Sequence, residues 1–137
     1  MEASGGRIVA RVADVRSQEP LDAAAAAGLA EFGSIDTVLA DAGVFTMAST
    51  AWEQTEEESM ATIDIGFNGV RRSRKAVIPS IIESSRPCRM AMALSRPTGY
   101  NAAKLGVVAL MLSLASELGQ HNIGVNTVHP AVVKTMM

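Results

Sequence analysis

Tyr100 and Lys104 are the residues in this chain whose types and spacing could do chemistry together. They stand four positions apart, and on an α-helix that spacing puts both side chains on one face, a turn apart. A phenol in water gives up its proton only at about pH 10, but a cation held beside it favours phenolate and lowers that pKa. The pair can then pass a proton to or from an alcohol or carbonyl oxygen. Taken alone, a Tyr-x-x-x-Lys is more often an interface aromatic beside a solvated helix charge. The flanking sequence has to decide.

The elements that would position the pair can be taken in chain order. Residues 7–13, RIVARVA, mix β-branched residues with short polar breaks and predict a short strand, with Asp14 at its end. Ser17 can cap a helix with Glu19 and Pro20 in its first turn and an apolar stripe of Leu21, Ala25, Leu29 and Phe32; Gly33 ends it. Residues 35–40, IDTVLA, predict a second strand running into Asp41-Ala42-Gly43. Strand, helix, strand is a βαβ unit, which places two strands parallel in one sheet.

A long helical pattern covers residues 51–84, with Met60, Ile63, Phe67, Val70, Val77, Ile78, Ile81 and Ile82 at three- and four-residue spacing. The basic run Arg71, Arg72, Arg74 and Lys75 reads as a solvated or subunit-facing side. Residues 88–94, CRMAMAL, predict a third strand, although Met and Ala favour helix. The stretch around Tyr100 gives a helix over residues 100–118. Residues 123–128 give a fourth strand, which His129-Pro130 ends. The predicted order is β-α-β-α-β-α-β, an α/β chain.

Composition narrows the function classes. At 137 residues, 48% of them hydrophobic, the chain suits one globular domain with a core. A net charge of -2 without a dense Lys/Arg run, and only 4% aromatic residues, make nucleic acid an unsuitable partner. The one cysteine, Cys88, rules out an internal disulfide and a thiolate metal cluster, and His121 and His129 are too few for a ligand set, so no metal is expected. No secretory leader and no apolar run approaching membrane-span length stand out, so the expectation is a cytoplasmic chain without a membrane partner.

Four segments, GRIVARVADVR at 6–16, EFGSIDTVLADAG at 31–43, YNAAKLGVVALM at 100–111 and HNIGVNTVHPAVVKTMM at 121–137, together resemble the short-chain dehydrogenase/reductase family, in particular its mycofactocin-coupled, carveol-dehydrogenase-like branch. The resemblance implies a Rossmann-like, doubly wound parallel sheet with NAD or NADP at the carboxyl ends of its strands. It implies that Tyr100 is the general acid/base and that Lys104 lowers its pKa and holds the nicotinamide ribose. Asp14 and Val15 would touch the adenine ring, and Asp41, Ala42 and Gly43 would pass the adenosine ribose. Pro130, Val133 and Thr135 match the segment facing the nicotinamide, with Thr135 bonding its carboxamide. The partner would be a small-molecule alcohol or ketone.

Set against the family pattern, residues 1–137 read as a single partial Rossmann-like domain. The first two strands, the glycine-rich phosphate loop between strand and helix, and the last strand have no counterpart, so the sheet is expected to be incomplete. In the parent sheet order the missing strands separate residues 7–13 from residues 35–40, which must either pair anew or leave the first strand poorly packed. Ser95 lies only five residues before Tyr100, closer than the family serine, and is a weaker catalytic candidate. Gly66 stands where the family has a relay asparagine, and Asn68 lies on the other side of the helix. Asp41 stands where asparagine is common. Two functions follow: an oxidoreductase impaired as this isolated chain, or a catalytically inactive truncated relative that keeps an oligomerisation surface on helices 51–84 and 100–118.

Overall fold

The computed structural model describes residues 5–44, 53–84, 88–91 and 98–128. Within them the order is α1 (Gln18–Phe32), β1 (Thr37–Leu39), α2 (Glu56–Ile63), a π-helical segment (Asp64–Asn68), α3 (Gly69–Ser84), β2 (Cys88–Ala91), α4 (Thr98–Leu118), a short 3₁₀ turn (Gly119–His121) and β3 (Ile123–Val125). The strands form one parallel sheet in the order β1-β2-β3, with Val38 opposite Met90 and Met90 opposite Val125.

Local chemistry accounts for most of the element ends. Gly33 closes α1 in the left-handed region at φ 80°, and its N–H donates to the Leu29 carbonyl at 2.8 Å. Ser17 occupies the N-cap position of α1 with extended backbone, but its hydroxyl makes no cap hydrogen bond. The long helix starts at Glu56, five residues later than the periodicity suggests, because Thr55 and Glu58 form a reciprocal capping box. Three glutamates in that first turn then sit where the helix dipole favours negative charge.

Three expectations need correction. Residues 7–13 are not a strand: RIVARVA has β propensity but no neighbouring ladder to pair with, and propensity without a partner does not make a strand. That segment instead leans on the end of α1, where Arg7 ion-pairs with Glu31 and lies 5.2 Å over the Phe32 ring. The described sheet therefore has three strands and the order α-β-α-β-α-β. It is also covered on one face only among the described residues. Val38, Ile123 and Val125 join the core with Val70, Val77, Ile81, Val107, Met111 and Leu118, whereas Thr37, Leu39 and Gly124 are exposed. Successive right-handed crossovers that advance in one direction put the helices between β1 and β3 on the same face. Doubly wound layers need a reversal of strand order, and β1-β2-β3 contains none.

The last correction concerns α4. The segment Ala102–His121 is long and apolar enough to cross a membrane by length and composition, contrary to the reading of its sequence. Of that window 28% is buried, through residues such as Ala103, Lys104, Val107, Met111 and Leu118. The helices meet through small residues. A Cβ added at Gly69 would lie 2.8 Å from the Val15 side chain, so only glycine allows α3 to approach the turn before α1.

Candidate active site

Parallel strands share one carboxyl edge, and the helix after each strand begins there. Residues 40–43 leave β1 at that edge, and α4, which follows β2, carries Tyr100 and Lys104 in its first two turns. The turn of Asp14–Ser17 precedes α1, which runs back along the sheet toward β1, so it too belongs to this end of the layer. The topology thus gathers Asp14, Val15, Asp41, Ala42, Gly43, Tyr100 and Lys104 at one edge. Ser95, Pro130, Val133 and Thr135 lie outside the described residues.

Lys104 is buried, with only 4% of its surface exposed, and its side chain is engaged in the protein. An ammonium is almost never buried unless paired. On the helical repeat Lys104 stays one turn beyond Tyr100, as the four-residue spacing requires. The π segment packs across this part of α4. A Cβ at Gly66 would meet the Ala103 Cβ at 3.5 Å, an ordinary contact, and Phe67 lies over Gly106. Single π turns inside α-helices are rare and are found often at functional sites. Asn68 does not replace an amide at Gly66: its Nδ2 donates to Asp64 Oδ1 at 3.2 Å, turned into a different network.

That network fixes the turn before α1. Arg72 Nη2 donates to Asp64 Oδ1 at 2.8 Å, its Nη1 donates to the Val15 carbonyl at 3.3 Å, and Gln18 Nε2 donates to the Arg72 carbonyl at 3.2 Å. Sequence reasoning missed it, although Asp64, Asn68 and Arg72 recur at four-residue intervals on one helix face. Val15 is half-buried against Gly69. Asp14 is exposed, and its carboxylate accepts from Arg16 N, Nε and Nη2 at 2.6 to 3.0 Å. Those bonds, the side-chain ones foremost, hold the Asp14 pKa down at about 2 and raise that of Arg16.

The fit to a dinucleotide can be judged on these groups. A buried ammonium at the carboxyl edge suits a pair of ribose hydroxyls, which it can meet with several donors. Asp14 fits an adenine amine less readily, because Arg16 already occupies most of its acceptor sites and must release one. Asp41 and Ala42 are exposed at the end of β1 and Gly43 is half-buried. Among the described residues no group of three or more His, Cys, Asp or Glu could hold a metal ion.

Arg74 was also misread. It is 3% exposed, not solvated, since it falls with Val70, Val77 and Ile81 on the buried face of α3. That position was visible in the sequence, at four residues from Val70 and three from Val77.

Comparison with known proteins agrees with this architecture. The model of the family described as short chain dehydrogenase matches residues 1–137. An uncharacterized oxidoreductase of Mycobacterium tuberculosis is 39% identical, with 100% of this chain aligned to 53% of the relative. A (-)-trans-carveol dehydrogenase of Rhodococcus erythropolis is 32% identical over 100% of this chain and 52% of its own length. The crystal structure of a carveol dehydrogenase from Mycobacterium avium in complex with NAD superposes with a TM-score of 0.93 at 33% identity, covering 99% of this chain and 52% of that one. The chain spans about half the length of these relatives. It belongs to the short-chain dehydrogenase/reductase family, with an α/β fold of the Rossmann type.

Proposed function

We propose that this protein is an NAD(P)-dependent oxidoreductase that interconverts a small-molecule alcohol and its carbonyl compound. The single observation that carries the reading is Lys104, buried one helical turn beyond Tyr100 where α4 begins at the carboxyl edge of a parallel sheet. Relatives support it: one that matches the whole chain bears the name of a carveol dehydrogenase, and the M. avium protein was crystallised with NAD. Bound nicotinamide supplies or accepts the hydride. Tyr100 gives a proton to the substrate oxygen or takes it back, and Lys104 stabilises its phenolate and binds the ribose hydroxyls. Ser95 offers a hydroxyl to the same oxygen. Asp14, Val15, Asp41, Ala42 and Gly43 form the adenosine side, and Pro130, Val133 and Thr135 the nicotinamide side.

Turnover is low in this reading, because Gly66 has no side chain for a proton relay and Asn68 is committed to Asp64. Calorimetric titration of the purified protein with NAD and with NADP tests the cofactor. Saturable binding of at least one, with a dissociation constant below about 1 mM, is expected from the usual range of such sites. Absence of heat with both at that concentration would overturn the reading.

A second reading, an inactive relative that keeps an oligomerisation surface, draws support from the outer side of α4. Leu105 and Leu112 are each 69% exposed, and exposed Ala109 lies between them on the same stripe. A second copy would cover them. Light scattering on the wild type and on Leu112→Glu decides it: an oligomer that the variant splits is expected, and a monomeric wild type removes the idea.

A further inference from the structure

Arg72 belongs to a basic run, yet its side chain is only 18% exposed and is held within the protein. Its Nη2 donates to Asp64 Oδ1 at 2.8 Å, and its Nη1 meets two carbonyls, that of Val15 at 3.3 Å and that of Asp64 at 3.4 Å. Asp64 opens the π segment, and its carbonyl also accepts from the Gly69 N–H at the segment's end. Val15 stands in the turn before α1. One guanidinium therefore bridges that turn and the π segment, across a sequence separation of 57 residues between Val15 and Arg72.

Neighbouring contacts secure both ends of the bridge. Gln18 Nε2 donates to the Arg72 carbonyl at 3.2 Å and to Asp22 Oδ1 at 2.8 Å, which ties the first residue of α1 to α3. Within the turn, the Ser17 N–H donates to the Asp14 carbonyl at 3.0 Å and the Arg16 N–H to Asp14 Oδ1 at 2.9 Å. Gly69 lets Val15 approach, because a Cβ there would collide with its side chain. At the other end the π segment packs on α4 beside Lys104, with Gly66 against Ala103 and Phe67 over Gly106. Nη1 and Nη2 are thus both engaged and the Asp64 carboxylate offsets the charge, so Arg72 is placed to hold backbone rather than to receive a phosphate. The backbone it holds carries Asp14 and Val15. A loop fixed beforehand in its bound conformation loses less entropy when a ligand arrives.

We propose that Arg72 is a positioning residue for the adenine end of the dinucleotide: it holds the Val15 carbonyl against the π segment and so presets Asp14 and Val15 for the base, without touching the cofactor itself. The proposal rests on the oxidoreductase reading, which supplies the cofactor, and adds a residue that the reading does not use. A clamp that served stability alone would lower the melting temperature without favouring one half of the cofactor over the other. A clamp on the adenosine side is felt only by ligands that carry adenosine.

The test is calorimetric titration of the full chain with adenosine monophosphate and with nicotinamide mononucleotide, which carry the two halves of the cofactor separately. Arg72→Met keeps an unbranched side chain and removes the donors; it should bind adenosine monophosphate about tenfold more weakly than wild type and nicotinamide mononucleotide equally well. Arg72→Lys keeps a donor for the Val15 carbonyl and should recover part of the loss. Hydrogen exchange in the ligand-free chain, followed by NMR, reads the cause: the Arg16 and Ser17 amides should exchange severalfold faster in Arg72→Met. Should that variant fail to fold, Asp64→Asn, which preserves shape and withdraws the charge that anchors the guanidinium, should weaken adenosine monophosphate severalfold and spare nicotinamide mononucleotide. Unchanged adenosine monophosphate affinity in Arg72→Met, equal losses for both ligands, or unchanged exchange at those amides would overturn the proposal and leave the oxidoreductase reading standing. Where Arg72→Met does not fold, the same results in Asp64→Asn would do so. A wild type that binds neither half, and neither NAD nor NADP, would overturn the oxidoreductase reading and the proposal together.

Discussion

Tyr100→Phe lowers turnover by about 10²- to 10⁴-fold and leaves NAD(P) affinity within experimental error. The size follows from the usual contribution of a positioned general acid/base. Phenylalanine keeps the ring and deletes only the hydroxyl, so the helix and its packing are spared while the proton has no carrier. Lys104 behaves differently. It is buried on α4, and in the proposed function Lys104→Met would remove both a cation favouring phenolate and donors to the ribose. Its loss therefore appears in turnover and in cofactor affinity together. Steady-state kinetics with a secondary alcohol, paired with cofactor titration of each variant, separates the two roles. Unchanged turnover in Tyr100→Phe would remove that residue from the chemistry whatever its position on the helix. The pH profile adds a check: a phenol whose pKa is lowered by a neighbouring cation makes oxidation rise with pH to a plateau, and Lys104→Met should move the rise to higher pH.

The helix that carries Tyr100 and Lys104 was legible, because its run of helix-favouring residues is a local signal. The end of α1 at Gly33 was legible for the same reason: the φ of 80° there is a local demand that glycine meets. Residues 7–13 misled because a strand is defined by its neighbours, and the composition of RIVARVA says nothing about whether a ladder stands beside it. The π segment was hidden by the same regularity that made the long helix visible. An extra residue in one turn shifts the face of everything after it, and apolar spacing tolerates that shift. Arg74 erred in the opposite direction. Its spacing puts it with Val70, Val77 and Ile81 on the buried face, whereas its charge alone points to solvent. Of the candidate site residues, Lys104 falls within the described ones, and Ser95, Pro130, Val133 and Thr135 fall outside them.

Ile81→Ala costs about 3 kcal/mol of folding stability, a Tm lower by about 10 °C. Ile81 is 1% exposed and is among the largest fully buried side chains, in a cluster with Val77, Val107, Met111 and Ile123. It joins α3 to both α4 and β3, so truncation removes packing at the junction of three elements and leaves a cavity that rigid neighbours cannot close. The effect weighs more here because the described sheet buries only one face: Leu39 on the other is 63% exposed and offers no second core to share the load. Leu112→Ala is the matched control. That side chain is 69% exposed, so the same chemical deletion changes stability by less than about 0.5 kcal/mol in a monomer. Urea unfolding at two protein concentrations reads both, since any contribution of Leu112 to an oligomer makes its midpoint concentration-dependent. If Ile81→Ala costs no more than Leu112→Ala, α3 does not dock on the sheet and the placement of the active-site edge beside it fails with it.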